Sequence, residues 1–210
     1  GRQRSSQGCG EAVGGGVVMD GSWFRSINRF ARHTAWAHGV MRWYATTGIA
    51  LFAVLLVASF LVSRHRRDQR GVAGIISTGV SVLVALGLGQ ILGHLVGRLR
   101  PYHVMTGVQV LVHRTSDFSF PSDHATAVGA VAIGLWCIHR RLGTIACTAA
   151  VVMAVARVYV GAHYPGDVVA GLALGGVVAY AGHRLLTPLL ARIVRPIAAS
   201  KLGWLVGARR

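Results

Sequence analysis

The chain has 210 residues, of which 53% are hydrophobic and only 13% are charged. Charged residues make up about a quarter of an ordinary soluble domain, so this composition argues against a water-soluble globule and predicts an integral membrane protein. The formal net charge of +16 is compatible with nucleic-acid binding. However, most arginines flank apolar segments, which favours a membrane protein that binds no nucleic acid.

The N-terminal part of the chain divides into a head and an amphipathic segment. Residues 1–18 are rich in Gly and Ser, have no apolar core and are predicted to be a disordered head. Met19 directly follows this head and is a candidate for the true start of the protein. Residues 22–43 contain four arginines and are predicted to form an interfacial or re-entrant helix.

Five near-uninterrupted apolar stretches follow, and most of them approach the roughly 20 residues that a membrane-spanning helix needs. They are 44–63, 71–97, 125–138, 142–160 and 168–186. The third reaches the required length only if residues 121–124 belong to the same helix. We therefore predict an all-α, polytopic membrane bundle of five transmembrane helices plus the N-terminal helix. Its membrane-embedded domain covers residues 19–186, and a basic, amphipathic cytoplasmic tail covers residues 187–210.

The placement of charge predicts the orientation in the membrane. Basic residues cluster at 64–70, at 139–141 and beyond the fifth span, all on one side of a five-span path. The positive-inside rule makes that side cytoplasmic. Three other connections, 93–103, 118–125 and 156–167, then meet on the outer face. The N-terminal arginines (Arg25, Arg29, Arg32 and Arg42) would also fall outside, and an interfacial or re-entrant helix would resolve that conflict.

The outer connections contain ionisable residues that are predicted to form one site, because such residues are costly at membrane depth and commonly functional. They are Arg98, Arg100, Asp123, His124, Arg157, His163 and Asp167. Guanidinium groups bind phosphate oxygens in pairs. If Pro121 forms the first turn of the third span, the following N–H groups are free to bind an anion, and the Ser122 hydroxyl adds a donor. The set predicts a phosphate-binding site.

The consecutive residues Ser122, Asp123 and His124 do not form a hydrolytic triad, because neighbouring helical residues do not face one another. His163 and Asp167 are a better pair. A carboxylate on one ring nitrogen would fix the tautomer and leave the other nitrogen as a nucleophile. His124, from another helix, would protonate the leaving oxygen as general acid. A metal site is the weaker alternative, since carboxylates are few and no His-x-x-x-His pair occurs among the outer-face histidines.

The three connections resemble the motifs of the type-2 phosphatidic acid phosphatase superfamily. These motifs are Lys, six residues, Arg-Pro; then Pro-Ser-Gly-His; then Ser-Arg, five residues, His, three residues, Asp. The matching residues are Arg100 and Pro101; Pro121, Ser122 and His124; and Arg157, His163 and Asp167. The departures are Gly93, Asp123 and Ala156 at the Lys, Gly and Ser positions. The segments "FPSDHAT", "RVYVGAHYPGDVVAG" and "INRFARHTAW" are similar to the bacitracin-resistance type of undecaprenyl-diphosphatase within this superfamily.

This resemblance implies a mechanism that needs no metal or other cofactor. His163 would form a phosphohistidine, Asp167 would orient it, and His124 would protonate the leaving group. The implied phosphate ligands are Arg100, Ser122, Arg157 and, in place of the missing lysine, Arg98, with Arg114 and then His94 as alternatives. Asp123, beside them, has three candidate roles: to orient Arg157, to orient His124, or to cap its helix.

The expected function is hydrolysis of undecaprenyl or another polyprenyl diphosphate in the bacterial cell membrane. The active site would face the extracytoplasmic side, and the reaction would recycle the carrier lipid for cell-wall synthesis. A phosphatase for phosphatidate or phosphatidylglycerol phosphate is an alternative, because the motifs bind the phosphate and not the lipid tail. A non-catalytic protein that binds or transports anionic lipid is the alternative of another class. No protein partner is predicted.

Overall fold

The structure, a computed structural model, describes residues 7–199 and the side chains of residues 19–196. Within this range the chain forms helices and no β-strand, which confirms the all-α prediction. The elements are α1 (Gln7–His33), a 3-10 turn (Ala35–Ala37), α2 (His38–Thr47), α3 (Ile49–His65), α4 (Gln69–Val96), α5 (Pro101–Val104), α6 (Asp123–Ile138), α7 (Arg140–Tyr159) and α8 (Pro165–Ala199).

Several of these helices are long and apolar enough to cross a membrane. Three single segments of the described chain qualify, namely Gln69–Val104, Arg140–Tyr159 and Pro165–Pro196. The bent pair Ala35–Thr47 and Ile49–His65, with an angle of 52° between its halves, qualifies as a fourth. The 16-residue helix α6 is apolar but shorter. The described residues therefore contain three or four candidate spans, and the predicted count of five stays a prediction.

The core of the bundle forms where α6 packs against α7 and α8 and where α4 packs against α8. Two glycines allow α6 and α8 to approach closely. A β-carbon on Gly129 would overlap the backbone of Leu172, and one on Gly175 would overlap the backbone of Thr126. These contacts join the N-terminal halves of α6 and α8, so the N-terminal ends of the two helices lie side by side.

The helix ends sort into two groups at opposite ends of the bundle. Ser63, near the end of α3, hydrogen-bonds His139, between α6 and α7, at 2.9 Å. This contact joins the two basic connections that lie at one end. At the other end lie the C-terminal ends of α4 and α7 and the N-terminal ends of α6 and α8. The three motif-bearing connections therefore meet at the end away from the basic clusters.

The surface of the described helices is largely apolar, as a lipid environment requires. On α4, Leu83 and Leu95 are 71% and 77% exposed. On the N-terminal helices, Trp23, Trp36 and Trp43 are exposed by 61% or more. Aromatic side chains of this kind are typical of the membrane–water interface.

The predicted terminal boundaries remain predictions. Helix α1 begins at Gln7, so it extends into the segment 1–18 expected to be a disordered head, of which residues 1–6 lie outside the described residues. Helix α8 continues past residue 186 to Ala199, through Pro188 and Pro196. The remainder of the predicted tail, residues 200–210, also lies outside the described range.

Candidate active site

Turn and capping residues bring the three connections together. Helix α4 is followed by the C-cap Gly97, whose left-handed conformation (φ 61°) suits glycine and whose N–H donates to the carbonyl of Gly93. Helix α8 begins at Pro165, so Asp167 lies in its first turn. The N–H of Ser122 then donates to the carbonyl of Asp167 at 3.1 Å. These contacts place the start of α6 against the start of α8.

His163 lies at the centre of this arrangement and is 1% exposed. Its Nδ1 is 2.8 Å from the carbonyl oxygen of Ser119, so Nδ1–H donates and Nε2 carries the lone pair. Nε2 lies 3.1 Å from Nη1 of Arg100 and 3.3 Å from Nη2 of Arg157. Burial, together with the positive charges of Arg157 and Arg100, lowers the pKa of His163 well below its usual value. The ring is therefore neutral near pH 7, as a nitrogen nucleophile must be.

Asp167 does not hydrogen-bond His163 directly, which differs from the expected pairing. Its Oδ2 is 4.0 Å from Nδ1 of His163. The same oxygen accepts hydrogen bonds from the Ser119 hydroxyl and, at 2.9 Å, from the Tyr164 N–H. Ser119 therefore connects the two residues, because its carbonyl binds the ring and its hydroxyl binds the carboxylate.

Arg98 lies behind this pair and does not line the cavity described below. Its Nη1 is 2.7 Å from Oδ1 of Asp167, and its Nη2 is 2.7 Å from Oδ2 of Asp20. The guanidinium carbon lies 3.8 Å from the centre of the Tyr164 ring. Asp20, on α1, also accepts a hydrogen bond from the N–H of Gly166 at 2.8 Å. In this conformation Arg98 holds Asp167, whereas the sequence assigned it to the phosphate.

Arg100 forms a two-pronged ion pair with Asp117, a residue that the sequence did not single out. Its Nε and Nη2 lie 3.1 and 2.7 Å from the two carboxylate oxygens, and its Nη1 donates to the carbonyl of Ala162 at 3.1 Å. Burial alone would raise the pKa of Asp117, but the hydrogen bonds and charge of Arg100 outweigh it and lower this pKa. The Asp117 side chain is 53% exposed, so this ion pair forms at the edge of the site.

Arg157 is a buried cation with incomplete hydrogen bonding. It is 7% exposed, and its Nη1 donates to the carbonyl of Ala45 at 3.2 Å. Its Nε is buried without a hydrogen-bond partner among the residues that the structure describes. A buried donor without a partner is costly, so Arg157 can accommodate a further acceptor such as a phosphate oxygen.

The start of α6 differs from the expectation in three respects. Pro121 precedes the helix and is not in its first turn, because Ser122 has an extended conformation and is the N-cap. The Ser122 N–H donates to the Asp167 carbonyl and is not free for an anion, whereas the Ser122 hydroxyl accepts the N–H of Ala125 at 3.5 Å, a contact that does not use its O–H donor. Asp123 accepts two hydrogen bonds, at 3.1 and 3.0 Å, from Nε2 of Gln90 on α4. Asp123 is thus not the N-cap, and its hydrogen-bond partner is neither Arg157 nor His124.

The cavity in front of His163 has a volume of about 350 Å³. Its wall includes Arg100, Asp117, Asp123, His124, Arg157 and His163. Both histidines that the sequence assigned to catalysis and two of the expected phosphate ligands therefore share one cavity. Arg114 is exposed and is not part of this wall; its guanidinium lies 5.6 Å from the Tyr102 ring.

Comparison with known proteins identifies the family. Residues 74–190 match the model of the PAP2 superfamily. The chain belongs to this superfamily. The expected resemblance to type-2 phosphatidic acid phosphatases is thus confirmed, and the protein is a phosphatase for which a metal-independent mechanism fits the family. Together with the apolar helices, this makes it a multi-pass membrane protein.

Two curated relatives and one solved structure are similar over most of the chain. The putative undecaprenyl-diphosphatase YbjG of Escherichia coli (strain K12) is 32% identical, over 73% of this chain and 76% of that protein. The undecaprenyl-diphosphatase BcrC of Bacillus subtilis (strain 168) is 25% identical, over 82% of this chain and 88% of that protein. The crystal structure of a transmembrane PAP2-type phosphatidylglycerolphosphate phosphatase from Bacillus subtilis has a TM-score of 0.53 and 23% identity. That likeness covers 77% of this chain and 83% of that chain, and it concerns the fold alone.

Proposed function

We propose that this PAP2-superfamily phosphatase removes the terminal phosphate of a polyprenyl diphosphate, undecaprenyl diphosphate in particular. The observation that carries the proposal is the position of His163, whose Nε2 lies between Arg100 and Arg157 at the wall of a cavity that also contains His124. The names of the relatives YbjG and BcrC support the choice of a diphosphate lipid.

In the proposed mechanism, Nε2 of His163 attacks the terminal phosphorus. The bond between that phosphorus and the bridging oxygen breaks, and His124 donates a proton to the lipid monophosphate as it leaves. Arg100 and Arg157 bind the equatorial oxygens, where negative charge is spread in the transition state. Water then attacks the phosphohistidine, gives a proton to His124 and releases inorganic phosphate, which restores both the neutral ring of His163 and the protonated His124.

Asp167 has an indirect role in this mechanism. It receives the Ser119 hydroxyl, and the carbonyl of Ser119 receives Nδ1–H of His163. The carboxylate therefore orients the ring through Ser119, and it stabilises the positive charge that develops on the ring from 4.0 Å away. Arg98 compensates the charge of Asp167, so Arg100 and Arg157 are the two guanidinium groups left to bind the phosphate.

We further propose five spans with the site on the extracytoplasmic side of a bacterial cell membrane. Helix α6 would be the additional span, with the preceding connection completing its passage across the bilayer. The basic clusters at 64–70 and 139–141 lie at the other end of the bundle, which the positive-inside rule makes cytoplasmic. In this location the enzyme would return the cell-wall carrier lipid to its monophosphate form.

The test is phosphate release by the purified protein in detergent, with EDTA present. We expect the wild-type protein to release phosphate from undecaprenyl diphosphate and His163→Ala to release none. The control His65→Ala, which changes an exposed histidine at the end of the bundle away from the site, should release phosphate at the normal rate. Faster release from phosphatidylglycerol phosphate or phosphatidate would instead assign the protein to glycerolipids. Activity of His163→Ala equal to wild type would exclude the proposed nucleophile.

A further inference from the structure

A second cavity lies between α1 and the connection from α5 to α6. Its volume is about 330 Å³, and its wall includes Arg25, Arg29 and Arg32 of α1 and the segment 104–108. The three arginines are four and three residues apart, so they lie on one face of the helix. The volume is at the low end for ligand pockets, which suits a headgroup better than a whole lipid. We call this space the arginine cavity.

The positive charge of the arginine cavity is not compensated by nearby acids. In the part of the chain whose side chains are described, no carboxylate lies within salt-bridge distance of these three arginines. Arg32 donates a hydrogen bond to the carbonyl of Gly107 at 3.3 Å. Three neighbouring cations repel one another, and a bound anion would relieve this repulsion.

Hydrogen bonds between α1 and the connection 105–122 fix the wall of the arginine cavity. Asn28, one of its lining residues, is 3% exposed. Its side-chain amide donates to the carbonyl of Gln109 at 2.8 Å and accepts the N–H of the same residue at 2.9 Å. Helix α1 is thereby held against the connection 105–122, and the arginines keep their positions around the cavity.

The surroundings of α1 place this cavity at a membrane surface. Trp23 and Phe30 of the same helix are each 61% exposed, which is typical of a helix at the interface. Asp20 joins α1 to Gly166 and Arg98, so the helix lies at the end of the bundle that holds the active site. On the proposed topology this is the outer face, where the positive-inside rule gives no reason for clustered arginines. An anionic ligand gives one.

We propose that the arginine cavity binds the phosphate group of an anionic ligand at the membrane surface. Guanidinium groups offer paired N–H donors that match phosphate oxygens. An anionic phospholipid headgroup and inorganic phosphate both present these oxygens. This binding site is separate from the active-site cavity and goes beyond the proposed hydrolysis.

The test compares two triple variants with the same change of charge. One replaces the arginines of the cavity (R25Q/R29Q/R32Q), and the matched control replaces exposed arginines at the opposite end of the bundle (R66Q/R67Q/R70Q). Each protein is placed in phosphatidylcholine nanodiscs with or without phosphatidylglycerol, and bound lipid is counted by native mass spectrometry. Equilibrium dialysis with labelled inorganic phosphate measures the second ligand. Thermal unfolding and the single variant Arg29→Gln show whether folding is retained.

We expect the cavity variant to lose phosphatidylglycerol affinity by about fivefold per arginine, while the control keeps it. If the cavity variant keeps its phosphatidylglycerol affinity but loses a binding site for inorganic phosphate, inorganic phosphate is the ligand of this cavity. Equal lipid loss in both triple variants with phosphate binding unchanged would overturn the proposal, because it would show only general attraction to anionic membranes. Unchanged binding of both ligands in the cavity variant and in Arg29→Gln would also overturn it. None of these outcomes depends on the hydrolytic activity.

Discussion

The two sides of the His163 ring are held in different ways. On the Nδ1 side, Ser119, Asp167, Arg98 and Asp20 form an unbroken series of hydrogen bonds and ion pairs. Asp167 is fully buried, and the side chains of Arg98 and Asp20 are only 22% and 13% exposed. Each of these residues has a charged or polar partner on both sides of the series or at its end. The series therefore holds the His163 ring in one orientation.

On the Nε2 side the contacts are exchangeable. Arg100 is paired with Asp117, whose side chain is 53% exposed, and Arg157 has a buried Nε without a partner among the described residues. A phosphate group could therefore replace Asp117 at Arg100 and satisfy Arg157. The difference indicates that the Nδ1 side determines the position of the nucleophile and the Nε2 side binds the reacting group. Mutations on the two sides should therefore have different kinetic effects.

The largest effect is expected on the Nε2 side, from Arg157→Lys. Lysine keeps the charge but has a single nitrogen, which cannot occupy the positions from which the separate guanidinium nitrogens contact the Ala45 carbonyl and a phosphate oxygen. We expect kcat/KM to fall by about a hundredfold or more, as when a transition-state donor is removed. Steady-state phosphate release measures this, with the exposed Arg141→Lys at the other end of the bundle as control. A loss below about tenfold would place Arg157 outside the group that stabilises the transition state.

A smaller loss is expected on the Nδ1 side, from Asp167→Asn. Because Nδ1–H is bonded to the Ser119 carbonyl, the amide would not change the tautomer of His163. We expect kcat to fall by about 10- to 100-fold, the usual effect of a supporting partner, with little change in KM. If Asp167→Asn were as inactive as His163→Ala, the carboxylate would have to contact the ring directly during the reaction.

This comparison also shows which parts of the site a sequence can predict. Arg100, His124, Arg157 and His163 were found from motif spacing, because proline and glycine mark the helix ends that bring them together. The Ser119 carbonyl carries no such signal, since every residue has a carbonyl and only the fold selects this one. The fold class follows from composition in the same way, whereas the number of spans depends on where short helices begin.

Long-range partners could not be predicted for a different reason. Asp20 contacts Gly166, which is 146 residues away in the sequence, and also Arg98. Likewise, Gln90 meets Asp123 from a neighbouring helix. Such contacts depend on helix rotation and close packing, which a single sequence does not specify. For Arg98 the sequence predicts a phosphate ligand, whereas in the structure its guanidinium group lies against the carboxylates of Asp167 and Asp20.

Asp20→Asn tests whether the residue farthest from His163 on the Nδ1 side still affects the position of the ring. The amide would weaken the pair with Arg98, and Arg98 would hold Asp167 less firmly. We expect kcat to fall by up to about fivefold, because a partly exposed ion pair contributes up to about 1 kcal/mol. KM should not change, because neither residue lines the active-site cavity. Asp68→Ala, which removes the N-cap of α4 at the other end, serves as control and should lower thermal stability without lowering kcat. An increase in KM with unchanged kcat would show that Asp20 acts on substrate binding and not on ring position.

The smallest effect is expected from Asp117→Asn, and its direction is opposite. Removing the carboxylate frees Arg100 for phosphate, so inorganic phosphate should inhibit about two- to threefold more strongly, within the range of an exposed ion pair. Because the pKa of Asp117 is lowered, its charge is present above the usual carboxyl range and is lost only as the pH falls through the lowered value. The difference in inhibition constant between wild type and variant should therefore persist from neutral to mildly acidic pH and disappear only in stronger acid. Weaker inhibition in the variant would mean that Asp117 holds Arg100 in place and does not compete with phosphate. Arg100 would then belong to the residues that fix the position of the His163 ring.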